Sequence, residues 1–284
     1  MIQILVISIS ILVSMAFLTP AFAETLVLAN AALPFWSPGC SEFVCVSDVG
    51  ILRVSATGTV LDTVAHNTMV QDVGAPLWHP NGQSVIYLRR DTEPVPGEWQ
   101  VAIRDLIGGT TTIWPTVGLW DDFGISFYAD SSEVLFDDMN NQVWALNIKS
   151  GATRPFLAGV DASTSLDGRS LVFLSNVDDR EILVKPIAGG PSVKIGEGSF
   201  PIWTIDSGHI IYTDDAGDLI ISASDGTSAG PFVTGVEFDV AGSHCGTGLA
   251  FTRCGGGGCD IWTTYLSPVP VESETWGNMK NRYR

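Results

Sequence analysis

Six apolar triplets recur along the chain: Phe43-Val44-Cys45, Val85-Ile86-Tyr87, Val134-Leu135-Phe136, Leu171-Val172-Phe173, Ile210-Ile211-Tyr212 and Leu249-Ala250-Phe251. Their first residues lie 42, 49, 37, 39 and 39 positions apart. A period of this length restricts a chain to repeat architectures, in which each unit buries its faces against its neighbours. The match extends upstream. Seven residues before the triplet stand Trp36, Trp78, Phe127 and Trp203, with Thr164 and Gly242 departing from the aromatic pattern.

Between aromatic and triplet lies a turn, such as Ser37-Pro38-Gly39, Pro80-Asn81-Gly82 or Leu166-Asp167-Gly168. Proline presets φ there, and Gly and Asn tolerate positive φ. Downstream come a polar loop and a second apolar run such as Val101-Ala102-Ile103 or Val143-Trp144-Ala145-Leu146. A glycine turn at Gly58, Gly108-Gly109, Gly151, Gly189-Gly190 or Gly226 then leads to a short last strand. Four short antiparallel strands repeated at this period make the blade of a propeller. The expectation is therefore an all-β chain forming a six-bladed β-propeller of four-stranded antiparallel blades, as a single domain over residues 24–270. Its blades fall at about 33–67, 75–117, 124–158, 161–197, 199–235 and 238–270, with 271–284 as a C-terminal tail. Thr25-Leu26-Val27-Leu28 is preferred over Val269-Pro270-Val271 as the strand that closes the ring, although the proline of the latter suits an edge.

The run Pro76-Leu77-Trp78-His79-Pro80-Asn81-Gly82, followed by Val85-Ile86-Tyr87, by Val101 to Leu106 and by Gly108-Gly109, resembles the TolB-like (WD40-like) propeller repeat with its P-x-W-S-P-D-G core. The resemblance covers residues 33 to about 267. TolB itself also carries an N-terminal α/β domain, for which this chain has no room. The resemblance implies a propeller that binds other proteins.

Residues 1–23 read as a signal peptide: an apolar run to Leu18 and then Ala21-Phe22-Ala23, the small-x-small pattern of a cleavage site. A retained membrane anchor is the alternative, because the run nearly suffices to span a bilayer and lacks a basic start. Cleavage yields a periplasmic or secreted protein with no stable membrane insertion. Five cysteines fit an oxidising compartment. Cys254 and Cys259 are expected to bridge a hairpin across Gly255 to Gly258. Cys40 is expected to pair with Cys45, or with Cys245 if the first and last repeats meet.

With 14 basic against 31 acidic residues the formal charge is -17, which opposes binding to nucleic acid or an anionic membrane. The carboxylates concentrate in loops that follow the second and fourth strands and so share one rim. Candidate binding residues there are Trp120, Asp121, Asp122, Asp137, Asp138, Asp178, Asp179, Asp214 and Asp215. Asp and Asn are also ordinary turn residues. No cofactor is expected, with Ca²⁺ at Asp214, Asp215 and Asp218 as the possible exception because hard cations take converging oxygen ligands. No loop has the EF-hand ligand spacing. Trp99, Trp114, Trp120 and Trp276 stand outside the repeated aromatic position and are candidates for exposure.

Catalytic motifs are missing. The four histidines are scattered, Ser165 to Ser170 is one partial sialidase-like turn, and there is no G-x-S-x-G elbow or phosphate loop. Two functions follow. The first is an exported, non-enzymatic, monomeric scaffold for a protein partner, with the acidic rim as contact or cation site. The second is a propeller enzyme acting on glycans, as hydrolase or lyase, through rim carboxylates set roughly 5–9.5 Å apart.

Overall fold

A computed structural model describes residues 24–265 apart from 94–96, 117–118, 120–124, 129–130, 205, 235–242, 246–247 and 256–257, with 243–245 and 265 described in backbone alone. Among the described residues no helix is long and apolar enough to cross a membrane. Their strands group into six antiparallel four-stranded sheets. The fold is a six-bladed β-propeller.

In the first blade Ala31–Trp36, Glu42–Ser47, Gly50–Ser55 and Val60–His66 lie side by side in chain order, innermost first. Four further blades repeat this arrangement over 71–115, 125–158, 160–197 and 199–233. The sixth combines Ser243–Cys245, Gly248–Gly255 and Gly258–Tyr265 with Thr25–Leu28 from the other end of the chain. Thr25 stands opposite Thr263 and Leu26 opposite Trp262, so both ends of the ring share one sheet. The Arg253–Glu24 ion pair at 2.7 Å adds to that closure. Val269-Pro270-Val271 lies outside the described residues.

The triplets occupy the second strands, where both faces of a sheet meet neighbouring blades. Phe43, Val85, Val134, Val172, Ile210 and Leu249 are fully buried. The repeated aromatic joins one blade to the next: Trp203 packs among Val160, Val172 and Val184 of the preceding blade and donates its indole N–H to the Ser163 carbonyl at 3.1 Å. Trp78 packs likewise against Val44 and Ile51 of the preceding blade. Two other tryptophans correct the expectation of exposure. Trp99 is half-buried under the Arg90 guanidinium, 4.7 Å from its ring centre, and Trp114 is half-buried over Gly151, where a Cβ would come within 2.5 Å of the indole.

The turn after the aromatic has one geometry in five blades. Ser37, His79, Tyr128, Ser165 and Thr204 each donate N–H to the carbonyl five residues ahead and accept from the fourth turn residue. That residue takes positive φ whatever its type: Cys40 at 60°, Gly82 at 68°, Ser131 at 61°, Gly168 at 69° and Ser207 at 55°. Asn81, Asp167 and Asp206 brace the turn by accepting backbone N–H bonds two residues on. The Ser165–Ser170 segment is therefore this repeat turn.

Cys254 and Cys259 are directly opposite in the last hairpin and form a disulfide. Cys40 is also disulfide-bonded, but Cys45 is free, buried among Phe43, Leu52 and Ile261, with burial pushing its thiol up to about 12. The expected Cys40–Cys45 bridge fails for a geometric reason. Cys40 sits in the turn and Cys45 in the middle of the next strand, and strand rise of about 3.3 Å per residue carries their Cα atoms beyond the ~7 Å a disulfide can span.

Trp78→Ala is expected to lower unfolding stability by about 3–5 kcal/mol, because it empties an inter-blade seam. Urea unfolding checks this; a loss below about 1 kcal/mol would contradict a core role.

Candidate functional site: the channel mouth and its rim

Each inner strand is a sheet edge facing the propeller axis. Three residues upstream of the aromatic position its backbone enters the left-handed region: Leu33 at φ 55°, Ala75 at 44°, Asp161 at 51° and Phe200 at 53°. Pairing with the second strand slips at the same place, between Ala32 and Phe35, Gly74 and Leu77, Val160 and Ser163, and Ser199 and Ile202. Such a bulge bends the strand and re-aims its side chains. Gly124 holds the equivalent sequence position in the third blade, outside the described residues. The conformation is ordinary for Asp but costs Leu, Ala or Phe about 1–3 kcal/mol each. These bulges line a mainly apolar cavity of about 120 Å³ on the axis, and Asp161 is the one charged residue in its wall among the described residues.

Bulging leaves a backbone N–H that the preceding blade satisfies in two cases. Leu33 donates to Thr252 Oγ1 at 2.9 Å, and Asp161 donates to Asp137 Oδ2 at 2.6 Å. Thr252 and Asp137 hold the same repeat position, the residue after the triplet. A hydroxyl suffices for that bond. Asp137 brings a second oxygen, and Oδ1 is buried without a hydrogen-bond partner in a residue only 7% exposed. Burial, followed by the adjacent Asp161 and Asp138 carboxylates, pushes Asp137 well above the usual carboxylate range.

Of the other carboxylates expected on this rim, Asp138, Asp179, Asp214 and Asp215 have structural partners. Asp138 Oδ1 accepts the N–H of Asn140 at 2.8 Å and of Gln142 at 3.1 Å, and Oδ2 accepts the Trp144 indole at 2.9 Å. These bonds hold its carboxyl below the ordinary range even though burial opposes them. Asp214 makes the same turn, accepting from Ala216 and Asp218 N–H at 2.9 Å each. Thus Asp138 corresponds to Asp214, and the doublets Asp137-Asp138 and Asp214-Asp215 are offset by one position. Asn176 nucleates the equivalent loop of the fourth blade and holds Asp179 through its amide at 2.9 Å; Asp178 is exposed. Asp215 pairs with Arg180 of the neighbouring blade. Trp120, Asp121 and Asp122 lie outside the described residues. Among the described residues no group of three or more His, Cys, Asp or Glu side chains is placed to hold a metal ion.

The rim also carries apolar residues that the sequence reading did not single out. Val49 is 49% exposed, Met69 92%, Val70 55%, Met139 68% and Val177 42%, all in loops after second or fourth strands. Met69 and Val70 form the tip of a turn closed by Thr68 and Gln71 backbone bonds, a place normally given to polar residues. Met139 and Val177 lie in adjacent loops joined by the Val177 N–H bond to Asn141 Oδ1 at 3.1 Å. The arginines near this rim are engaged: Arg89 with Asp91, Arg90 with Asp72, Arg180 with Asp215 and Arg253 with Glu24. Asp48, Glu93 and Asp178 stay exposed with no ion pair among the described residues.

No protein-family model matches the sequence, and no match was found among curated protein sequences. Solved structures do match in fold. TolB from Acinetobacter baumannii is 16% identical with a TM-score of 0.55, covering 72% of this chain and 53% of its own, so the chain spans about half of that protein. An oligogalacturonate lyase in complex with manganese is 15% identical with a TM-score of 0.58, covering 82% and 76%. A putative TolB from Agrobacterium tumefaciens is 16% identical with a TM-score of 0.55, covering 71% and 79%. The fold is therefore TolB-like.

An acid with a raised folded pKa holds its proton more tightly when folded, so it costs stability as pH rises from the ordinary Asp range through the folded pKa. Asp137→Asn keeps the acceptor for Asp161 N–H and removes that cost. The variant's stability relative to wild type is expected to grow from about pH 4 toward neutrality in urea unfolding. A difference independent of pH would contradict the assignment.

Proposed function

We propose that the protein is an exported, non-enzymatic propeller that binds a protein partner through the rim bearing Val49, Met69, Val70, Met139 and Val177. The carrying observation is the exposure of these five aliphatic side chains at loop tips of one rim, beside carboxylates and engaged arginines. Scattered exposed apolar residues are normal, but a set on one face rimmed by charge marks an interaction surface. Its partner chemistry is apolar with basic flanks. The disulfides Cys254–Cys259 and that of Cys40 support an oxidising compartment, in keeping with a cleaved leader at 1–23 and a periplasmic or secreted protein.

The reading assigns no Ca²⁺ to Asp214, Asp215 and Asp218, since Asp214 already accepts from its own turn and Asp215 faces Arg180. A glycan-active enzyme is less well supported, because Asp138 and Asp214 are committed as turn anchors. The lyase neighbour shares the fold at 15% identity, which carries no substrate across.

Photo-crosslinking residues placed at Met69, Met139 and, on the opposite rim, Ile107 separate the possibilities in the exporting cell. Adducts to one discrete protein from Met69 and Met139 but not Ile107 are expected. Equal yields from Ile107, or none from Met69 and Met139, would sink the rim as the contact.

A further inference from the structure

Methionine is among the residue types most often fully buried, and in a core it serves as a flexible filler. Here the two methionines of the described residues, Met69 and Met139, are instead 92% and 68% exposed on one rim. The fold dictates neither. Met139 follows the turn anchor Asp138, and after the equivalent anchors Asn176 and Asp214 stand Val177 and Asp215. Met69 is held through its backbone, whose carbonyl accepts the Thr92 hydroxyl at 2.9 Å, while its side chain stands in solvent. The described cysteine side chains are sheltered by comparison. Cys254 and Cys259 are bridged, Cys40 is disulfide-bonded, and Cys45 is a buried thiol pushed up to about 12. Oxidants attack thiolates and accessible thioethers, so among the described side chains Met69 and Met139 are the sulfur groups open to attack.

We infer that Met69 and Met139 are modification sites at which a peroxide oxidant switches off partner binding by the rim. The inference rests on the rim reading proposed above and adds its regulation. Hydrogen peroxide transfers one oxygen atom to each thioether: an S–O bond forms, the O–O bond breaks and the sulfur is oxidised by two electrons. The displaced hydroxide takes the proton of the transferred oxygen and leaves as water. The product sulfoxide is polar, and methionine sulfoxide reductases reverse it. Within an apolar contact it buries an oxygen acceptor that the partner surface leaves unsatisfied, so the complex weakens. In the free protein both side chains remain in solvent, so the propeller keeps its stability. Loss of binding with stability retained separates a surface switch from oxidative damage to a core.

The test uses the exported protein with a photo-crosslinking residue at Val177 and with Met279→Leu, which leaves Met69 and Met139 as the methionines of residues 24–284. Three preparations are compared: untreated, oxidised with hydrogen peroxide and then freed of it, and oxidised and then repaired with methionine sulfoxide reductases A and B. Each is illuminated with an extract of the exporting cell that has met no peroxide. Peptide mass spectrometry is expected to find one added oxygen on each methionine after oxidation, with an unchanged melting profile. The yield of the discrete adduct is expected to fall at least about tenfold on oxidation and to return on repair. Methionines left unoxidised, a lowered melting profile, an undiminished yield after oxidation, or a loss that repair does not reverse would each overturn the inference and leave the rim reading standing. No adduct from the untreated protein would instead remove the rim reading, and this inference with it.

Discussion

The seam between consecutive blades is the constraint on which the rest of this structure depends. A four-stranded sheet has two apolar faces and cannot bury either alone, so each blade is stable only against its neighbours. The repeated aromatic and the buried triplets supply the apolar part of that seam, with Trp203 reaching across to the Ser163 carbonyl. The polar part is the bulge. A left-handed residue three positions before the aromatic leaves an N–H that Thr252 or Asp137 of the preceding blade accepts. Closure by Thr25–Leu28 on the last hairpin then removes the one seam that a linear array would leave open.

From this frame the two candidate functional regions arise by different routes. The rim is made of loops, whose sequences the seam does not fix, and there aliphatic side chains stand exposed beside carboxylates. The channel mouth is made of seam positions themselves, where two apolar or hydroxyl-bearing positions have become carboxyls. Such substitutions cost stability in a buried place, as the upward push on Asp137 shows.

The architecture was legible in sequence because it rests on residue types repeated at fixed spacing: aromatic, turn, triplet, apolar run, glycine. The bulge was not. Leu33, Ala75, Asp161 and Phe200 share a backbone conformation and no side-chain chemistry, so no pattern marks them. The acidic doublets conceal two different roles for a related reason. Asp137 and Asp138 are neighbours at a strand end, where successive side chains point to opposite faces, and one enters the seam while the other anchors a turn. Met69 and Val70 could have been noticed in sequence as apolar residues at a turn between Thr68 and Gln71. The partner of Cys40 stayed open between Cys45 and Cys245 because spacing along the chain says nothing about position along a strand, and the free Cys45 removes the first of these.

The upward push on the Asp137 carboxyl ties the seam to the channel mouth, since it follows from burial beside Asp161 in the ring that the repeat builds. Difference infrared spectroscopy of wild type minus Asp137→Asn, taken in D₂O at a pH just above the ordinary carboxylate range, reads it directly. The account predicts the carbonyl stretch of a protonated carboxylic acid in the wild-type protein. A difference spectrum holding only ionised carboxylate bands would contradict it.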